Sequence, residues 1–330
     1  MNWEKLIDAL EEGVLILKNS EIFFANEFLV EREIIRDDWK GKRYYEVVKN
    51  LSLISLISRA LSGQQLSSEE FQHGGSFYRI KVKWIDDLML IFVSDVSSFK
   101  KYELSRREFV DNASHELKTP IAVIKGILET LLEEEDQESK KKFLEKALNR
   151  VNQMQSLVED LLTLTSIESG REKLNLSEFN LKDLVDEAHE SLEEEFKKSK
   201  VHFENLVDSS FEIKADRQKI YMLIRNLLDN AVKYNREGGK VWVSSQKRSD
   251  GWVIEVSDTG VGIPKEHLPF IFERFYRVDK EKFGTGLGLS IVKHIALLHR
   301  GEVKAYSQLG VGSRFVVFIP KNNPINRKMI

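Results

Sequence analysis

The sequence contains no cysteine among its 330 residues. A chain without thiols forms neither disulfides nor thiolate metal sites. Its seven histidines never fall into the HExxH or HxxxH spacing that is typical of zinc sites. We therefore do not expect a structural metal site.

A large net charge and long apolar runs are also lacking. The 50 Lys and Arg residues nearly balance 53 Asp and Glu residues, with a formal net charge of -3, so no overall field would attract nucleic acid. Apolar runs such as Leu88 to Val93 are far too short to span a bilayer, and the N-terminus is acidic where a signal peptide would be basic. We expect a cytoplasmic protein with no nucleic-acid partner and no direct membrane span.

The length exceeds that of a usual single domain, and the patterning changes twice along the chain. We predict three domains, at residues 1–97, 98–169 and 173–321. The segment ESGRE at 168–172 indicates a helix stop and a hinge between the second and third domains.

Residues 1–97 have the patterning of β-strands. The stretches GVLIL and EIFFA flank a polar turn at Lys18 to Ser20, and a later run alternates apolar and basic residues from Tyr78 to Trp84. The segment ALEEGVLILKNSEIFFANEFL resembles the opening of a PAS sensory domain, which implies a small antiparallel sheet with short helices around a possible ligand. An unrelated α+β module is the alternative, and His73 in QHGGS is interpreted as a loop residue rather than a haem ligand.

From about Ser97 to Glu168 the pattern is helical, and the acidic stretch EEEDQE is the predicted loop between two helices. Each helix carries an apolar stripe. The stripes are Ala113, Leu117, Ile121, Ile124, Leu128 and Leu131 on the first helix, and Leu144, Ala147, Val151, Met154, Val158 and Leu161 on the second. Hairpins from two chains would bury both stripes in a four-helix bundle, so we predict a homodimer.

His115, Glu116 and Thr119 share one face of the first predicted helix, roughly opposite the stripe that includes Leu117. His115 is therefore expected to point to solvent. Pro120 removes a backbone donor just after this group and predicts a kink.

The last third alternates strands and helices in a mixed pattern that predicts a two-layer α/β domain. Helices are expected to begin at Asp216, at Pro264 and in the segment SIVKHIALLH. The predicted strands are VHFENLV, FEIKA, KVWVSS, WVIEVSD, GEVKAYS and SRFVVFIP.

Polar residues interrupt this domain where a ligand would be bound. Asn226 and Asn230 lie four residues apart on an otherwise apolar helix and share its face with Lys233 and Tyr234, although Asn is a poor helix former. The segment DTGVGI follows a predicted strand, so Asp258 is expected at the strand end, where its carboxylate can accept a hydrogen bond from a ligand. Its glycines, Gly260 and Gly262, let the backbone pass close to a ligand.

The segment GTGLGLSI contains Gly284, Gly286 and Gly288 directly before a predicted helix. Backbone N–H groups at such a helix start are suited to holding phosphate. The spacing is neither a dinucleotide fingerprint nor a P-loop. A mobile lid between Phe275 and Thr285 fits better, with Arg277 available to neutralise phosphate charge.

Five stretches follow one another in a fixed order: FVDNASHELKTP, NLLDNAVKY, DTGVGIP, PFIFERFYR and GTGLGLSI. In this order they resemble the H, N, G1, F and G2 boxes of sensor histidine kinases of the PhoR-like type. The resemblance implies an α+β multidomain protein. Its parts would be a PAS-like domain, a helical hairpin that forms a four-helix bundle, and a two-layer ATP-binding domain of the Bergerat or GHKL type.

The same resemblance implies ATP and Mg²⁺ and gives each motif a role. His115 would attack the γ-phosphorus, Glu116 would be its acid–base partner, and Thr119 would position water in a phosphatase reaction. The predicted cofactor-binding set is Asn226, which would also bind the metal, with Asn230, Lys233, Tyr234, Asp258, Gly260, Gly262, Arg277, Gly284, Gly286, Leu287 and Gly288. The phosphoryl group would then pass to an aspartate of a separate response regulator.

Two other functions remain open at this point. One is a related GHKL-type ATPase that uses nucleotide closure mechanically, against which HELKTP on an exposed helical face argues. The other is a non-catalytic sensor scaffold that acts mainly as a response-regulator phosphatase, against which the complete set of nucleotide motifs argues.

Overall fold

The computed structural model describes residues 3–65, 68–134, 136–168, 174–279 and 284–321. Residues 169–172 of the predicted hinge at 168–172 and part of the predicted lid lie outside these ranges. The chain divides into two compact units, with the boundary between Val110 and Asp111. Among the described helices, none combines the length and the apolar character needed to cross a bilayer.

The first unit contains a five-stranded antiparallel sheet in the order β2-β1-β5-β4-β3. The strands are β1 (Gly13–Lys18), β2 (Glu21–Ala25), β3 (Glu69–His73), β4 (Ser76–Ile85) and β5 (Leu88–Asp95). Four helices accompany them, α1 (Trp3–Asp8), α2 (Glu27–Glu31), α3 (Tyr44–Val47) and α4 (Leu51–Leu61). The turn predicted at Lys18 to Ser20 is confirmed, since Asn19 and Ser20 both have positive φ between β1 and β2.

The core of this unit lies between one face of the sheet and the helices. Leu15 of β1, Ile91 of β5 and Ile57 of α4 are almost completely buried there. Tyr78 and Ile80 of β4 also point into it, as their alternation predicts. The same alternation predicts that Trp84 is buried, but its side chain is about half exposed.

Two long helices follow, α5 (Ser97–Glu133) and α6 (Gln137–Glu168). The helix α5 does not end at Pro120, so the predicted kink there stays a prediction. The two predicted stripes are partly open in the single chain, where five of their twelve side chains are exposed and Ala147 is buried. Exposed side chains include Ile121, Leu128, Leu144, Val151 and Val158.

A different face of α6 is buried. Leu157 is 4% exposed and Leu164 is fully buried, and this part of the chain packs against helix α10 (Gly288–Leu298). The second helix of the hairpin therefore has one apolar face against the rest of the unit and another that is open.

The remainder of the second unit has the predicted mixed α/β pattern. Its main sheet has the order β11-β12-β10-β9-β7, in which only β7 and β9 pair in parallel, and β6 and β8 form a separate pair. The strands are β6 (Leu176–Asn180), β7 (His202–Asn205), β8 (Glu212–Asp216), β9 (Lys240–Lys247), β10 (Gly251–Asp258), β11 (Glu302–Gln308) and β12 (Gly312–Pro320). The helices besides α10 are α7 (Leu181–Glu190), α8 (Glu193–Ser199) and α9 (Arg217–Lys233).

The helix α9 begins where the sequence predicts. Asp216 is its N-cap, and the side chain accepts a hydrogen bond from Lys219 N at 3.1 Å. Leu223, Leu227 and other apolar residues of α9 are buried. Its polar face is left for the site described below.

The prediction that a helix begins at Pro264 is wrong. Residues 265–272 form consecutive turns, with bonds of the i to i−3 type such as His267 N to Pro264 O at 3.0 Å and Phe270 N to His267 O at 2.9 Å. The physical reason is Pro269, which lacks an N–H group and disfavours the helical conformation of the residue before it.

Candidate functional site

A cavity of the second unit has a volume of about 860 Å³. Its walls come from α5, α6, α9 and α10 and from the segments that follow β10 and precede α10. Most of the predicted cofactor-binding set lines it: Asn226, Asn230, Lys233, Tyr234, Asp258, Gly262, Arg277, Gly284, Gly286 and Gly288. The structure thus brings together residues that are more than 60 positions apart in the sequence.

Asn226 is held in place by its own helix. Its Nδ2 atom donates a hydrogen bond to Met222 O at 2.8 Å. The Oδ1 atom of Asn226 lies beside the start of α10. A Cβ atom built at Gly288 would be 2.9 Å from this oxygen and 3.8 Å from Asn230 Nδ2. Glycine at 288 therefore lets the start of α10 approach both asparagines.

Lys233 makes an ion pair with Asp229 on the same helix, with 2.5 Å between Lys233 Nζ and Asp229 Oδ2. Asp229 also lines the cavity. Tyr234 ends α9, and its carbonyl oxygen would be only 2.3 Å from a Cβ atom at Gly260. Gly260 is thus required by a close backbone contact, and it is not among the lining residues.

Asp258 ends β10, as predicted, and its carboxylate is partly held by the backbone. Oδ1 accepts hydrogen bonds from Gly260 N at 2.8 Å and from Ser313 N at 3.2 Å. Both bonds use the same oxygen, which leaves Oδ2 available to the cavity. Burial raises the pKa of Asp258. Gly262, with φ +71°, lies against Gln308 O.

The glycine-rich segment before α10 is positioned by the segment after β10. Gly286 has φ +70°, and a Cβ atom there would be 2.7 Å from the Cα atom of Phe275, which itself has φ 61°. Gly284 has open space around its Cα atom. Leu287 is fully buried and lies outside the cavity lining, so its side chain belongs to the core.

Arg277 and Tyr276 bring further polar atoms to this wall. Arg277 Nη2 donates to Asp279 O at 3.4 Å. The hydroxyl of Tyr276 lies 2.6 Å from His267 Nδ1. These two contacts hold together the segment that follows β10.

His115 is exposed on α5, with 80% of its side chain accessible, as the helical periodicity predicts. Its Nδ1 atom is 4.0 Å from Glu116 Oε1, which is too long for a hydrogen bond. Thr119 Oγ1 donates to the carbonyl oxygen of His115 at 3.3 Å. Glu116, Thr119 and Pro120 line the cavity, whereas His115 does not.

Sequence reasoning missed Asp160 of α6 and did not give a role to Thr285. Thr285 Oγ1 donates a hydrogen bond to Asp160 Oδ2 at 2.9 Å and accepts one from Leu287 N at 3.2 Å. Burial raises the pKa of Asp160. The spacing of Leu157, Asp160 and Leu164 places all three on one helical face, which is the signal that would have indicated this contact.

The arrangement is suited to an anionic ligand that also has a polar ring. Backbone N–H groups at the start of α10 and the ammonium of Lys233 provide positive charge for phosphates. At the other end, Asp258 provides a half-buried acceptor. Within the described ranges, no three His, Cys, Asp or Glu side chains form a group that could hold a metal by themselves.

Two family models match this chain. One describes a histidine kinase-, DNA gyrase B- and HSP90-like ATPase and matches residues 215–323. The other describes a His Kinase A (phospho-acceptor) domain and matches residues 105–170. The fold and the site therefore define an ATPase domain of this class joined to a phospho-acceptor hairpin.

Several curated relatives are sensor histidine kinases or sensor proteins by name. The chain is 29% identical over 327 residues to the sensor-like histidine kinase SenX3 of Mycolicibacterium smegmatis, which covers 94% of this chain and 83% of that protein. It is 36% identical over 250 residues to the sensor histidine kinase WalK of Bacillus subtilis, with 72% and 40% covered. It is 34% identical over 237 residues to the phosphate regulon sensor protein PhoR of Pseudomonas aeruginosa, with 68% and 52% covered. The chain thus spans only about half the length of these last two.

Solved structures agree. A histidine kinase of Acinetobacter baumannii, AdeS, is 30% identical with a TM-score of 0.54, and the match covers 63% of this chain and 98% of that one. The histidine kinase ThkA, crystallised with the response regulator TrrA, has a TM-score of 0.54 at 23% identity over 96% of this chain and 98% of that one, and so supports the fold alone. This chain belongs to the sensor histidine kinase family, which confirms the family predicted from the order of the five motifs.

Proposed function

We propose that this chain binds ATP in the cavity, transfers its γ-phosphoryl group to His115 and then passes that group to an aspartate of a separate response regulator. The observation that carries this proposal is the shared cavity. Glu116 and Thr119 of the phospho-acceptor helix line it together with the asparagines of α9 and the glycines before α10. One space therefore contacts both the proposed nucleotide site and the neighbours of the proposed acceptor.

For ATP, we propose that Asp258 accepts a hydrogen bond from the adenine amino group. Its second carboxylate oxygen is available, and guanine has no donor at that position, so ATP would be preferred over GTP. Asn230 and Lys233 would contact the phosphates or ribose, beside Tyr234. Gly284, Gly286 and Gly288 would give backbone N–H groups access to the phosphates, and Arg277 would neutralise charge that develops on the γ-phosphoryl group.

Mg²⁺ is the metal that the family resemblance implies, and Asn226 fits as its protein ligand. The amide is oriented by Met222 O, and its Oδ1 atom faces the start of α10. A neutral oxygen ligand with phosphate oxygens and water is a donor set that Mg²⁺ accepts. When bound, the metal would neutralise phosphate charge.

In the proposed transfer, the lone pair of an unprotonated imidazole nitrogen of His115 forms a bond to the γ-phosphorus. The bond between that phosphorus and the oxygen shared with the β-phosphate breaks, and ADP leaves. Glu116 would hold, and then accept, the proton of the other ring nitrogen. Because His115 lies outside the cavity lining, the ATP domain has to move along the hairpin before transfer.

The response regulator is the proposed partner, and the ThkA structure is a complex of a relative with such a protein. We also propose a phosphatase activity towards the phosphorylated regulator, in which the Thr119 hydroxyl positions water. The hydroxyl is exposed and is bonded only to a backbone carbonyl in its own helix. It can therefore turn towards a ligand at low cost.

A homodimer is proposed from the open apolar stripes of α5 and α6. Ile121, Leu128, Leu144 and Val151 expose between 41% and 55% of their surfaces in the single chain. Pairing two hairpins in a four-helix bundle would cover them.

The first unit is proposed as a PAS-like sensor domain. Its small antiparallel sheet with short helices is the architecture that the sequence resemblance implies. The domain limits 1–97, 98–169 and 173–321 are retained as part of this proposal. The sheet ends at Asp95 and α5 begins at Ser97, which supports the first limit.

The proposal is tested by incubation of the full chain with γ-labelled ATP and Mg²⁺. Wild type should acquire a label that is lost in acid and kept in base, and His115→Ala should acquire none. Absence of label while nucleotide still binds would contradict the kinase proposal and would favour a regulator phosphatase or a mechanical ATPase instead.

A further inference from the structure

Asp160 of α6 is the one carboxylate of the hairpin that the described contacts join to the glycine-rich segment. Thr285 Oγ1 donates to Asp160 Oδ2 at 2.9 Å, across 125 positions of sequence. Thr285 in turn accepts a hydrogen bond from Leu287 N, at the start of α10. The hairpin is therefore connected through two hydrogen bonds to the backbone that would hold phosphate.

The contact is supported by packing on both sides of Asp160. Leu157 and Leu164, one turn before and one turn after it, are buried, and α6 packs against α10. Asp160 also lines the same cavity as Asn230, Gly286 and Gly288. Its carboxylate thus has a fixed place at the wall of the proposed phosphate site.

A carboxylate in this place would compete with phosphate. Lys233 of α9 acts electrostatically on Asp160, and the same ammonium is a proposed phosphate contact. A nucleoside triphosphate brings several negative charges to the same region, where partial burial strengthens their repulsion of a carboxylate. The Asp160 carboxylate and the bound phosphates therefore weaken each other's binding in this region.

We propose that Asp160 is a positioning residue that responds to nucleotide. Its carboxylate holds the glycine-rich segment against α6 through Thr285 in the absence of nucleotide, and the phosphates of ATP displace it. This inference rests on the proposed function of the cavity. It means that ATP binding itself frees the ATP domain from the hairpin, so that the domain moves only when it carries a phosphoryl group to transfer.

The first test compares affinities of the full chain for three probes, a non-hydrolysable ATP analogue with Mg²⁺, ADP with Mg²⁺, and adenosine. Asp160→Asn removes the charge and keeps the shape of the side chain. It should bind the triphosphate about threefold to tenfold more tightly than wild type, as expected for removal of one nearby like charge. The gain should be smaller for ADP and absent for adenosine, which has no phosphate.

Glu159→Gln is the matched control. Glu159 is the neighbouring acidic residue of α6, is exposed, and accepts a hydrogen bond from Gln155 Nε2 at 3.0 Å. It lies outside the cavity lining, so the same change of charge should leave all three affinities unchanged. Equal or weaker triphosphate binding by Asp160→Asn, or an equal gain in both variants, would overturn the inference.

A pH series separates a charge effect from a structural one. The charged groups that face Asp160 are Arg225, Asp229 and Lys233 of α9, with Glu116 of α5 on the same cavity. Because burial raises the pKa of Asp160, its carboxyl loses its charge at a higher pH than an ordinary aspartate does. The advantage of Asp160→Asn over wild type should therefore shrink as the pH is lowered and be largest at neutral pH. A constant ratio would count against the inference.

The second test uses wild type and so does not depend on the folding of a variant. Hydrogen exchange of α6 around residues 157–164 should become faster when the triphosphate analogue is added and should not change with adenosine. Unchanged exchange with bound triphosphate would overturn the inference. Labelling of His115 is scored separately: labelled wild type with no affinity gain in Asp160→Asn refutes only this inference, whereas a gain without any labelling refutes only the kinase proposal.

Discussion

Gly288 at the start of α10 leaves room for the side chain of Asn226 in the middle of α9. A methyl group at position 288 would lie 2.9 Å from Asn226 Oδ1, closer than carbon and oxygen atoms approach without a hydrogen bond. The absence of a side chain at Gly288 therefore determines where the Asn226 amide can lie, in addition to its proposed role in the phosphate-binding segment. It fixes how close the two helices lie at the site.

Gly288→Ala should weaken the binding of nucleotide with Mg²⁺ by about tenfold while leaving the fold intact. Alanine is a better helix former than glycine, so α10 itself is not destabilised. The added methyl group instead pushes the Asn226 amide away from its place. Titration calorimetry with a non-hydrolysable ATP analogue measures the loss.

Gly126→Ala of α5 is the matched control, because nothing lies within 4 Å of a Cβ atom at that position and Gly126 lies outside the cavity lining. Its affinity should equal that of wild type. If the two alanine variants bind nucleotide equally well, the contact between Gly288 and Asn226 does not shape the site.

Thr119→Ala should lose phosphatase activity by at least about tenfold and keep autophosphorylation of His115. The hydroxyl is bonded to His115 O within the helix, so its removal does not disturb packing. The two activities are measured with labelled ATP and with a phosphorylated regulator.

Thr119→Ser retains a hydroxyl and should retain both activities. An equal loss of kinase and phosphatase activity in Thr119→Ala would show that Thr119 supports the helix or the kinase reaction rather than the phosphatase reaction.

Val151→Glu should weaken the proposed dimer by at least tenfold in Kd, which corresponds to about 1.4 kcal/mol. Val151 is 41% exposed in the single chain and lies in the predicted stripe of α6. A carboxylate there would have to be buried in the bundle. Light scattering after size exclusion, over a range of concentrations, reports the change.

Lys141→Glu, at an exposed position of the same helix, should leave the dimer unchanged. A wild-type chain that is monomeric at all accessible concentrations would contradict the proposed bundle directly.

The stability of the ATP domain should fall as the pH drops below about 6.5, the ordinary pKa of histidine. His299 is 1% exposed; its Nε2 atom accepts a hydrogen bond from Asp216 N at 3.1 Å, and Nδ1 donates to Ile295 O at 2.8 Å. Only the neutral ring makes both bonds. Burial lowers the pKa of His299, against the opposite influence of nearby Asp216.

The direction of this pH dependence follows from proton binding to His299. In acid the unfolded chain binds a proton at His299 that the folded chain resists, so the free energy of unfolding rises with pH and is lost on acidification. His299→Phe should flatten this dependence and should cost about 1–3 kcal/mol at neutral pH, because the Asp216 N–H group loses its acceptor. Urea-dependent hydrogen exchange in β10 measures both; an unchanged pH slope would contradict the assignment.

Local signals in the sequence predicted much of the second unit. The start of α9 was predictable because Asp216 caps the helix through a hydrogen bond from a backbone N–H group three residues later. The end of β10 at Asp258 was predictable because a glycine-containing segment follows the apolar strand directly. The segment after Pro264 was predicted wrongly because a favourable helix start was given more weight than Pro269. Short elements such as α8 were not predicted, since seven residues carry little periodicity.

The site was less accessible to sequence reasoning where it depends on tertiary contacts. The exposure of His115 follows from helical periodicity, but its absence from the cavity wall depends on how α5 lies against the ATP domain. Asp160 was missed because its partner, Thr285, is on a distant segment of the sequence. The heptad stripe of α6 was also the more regular pattern, so the neighbouring face that contains Asp160 was not considered. Leu287 belongs to the phosphate-binding motif by position, yet its side chain fills the core.

The pairing of β10 with β12 has a consequence for how the nucleotide-binding segments can vary. Asp258 pairs with Ser313 at the end of that ladder, so the sheet closes the chain between them, which includes α10 and β11. For a flexible loop within such a closed segment, the entropy of closure depends only weakly on length, about 0.6 kcal/mol per doubling. Added residues between Arg277 and Thr285 would therefore change stability little, and this segment is the place where the chain can gain or lose length without losing the domain.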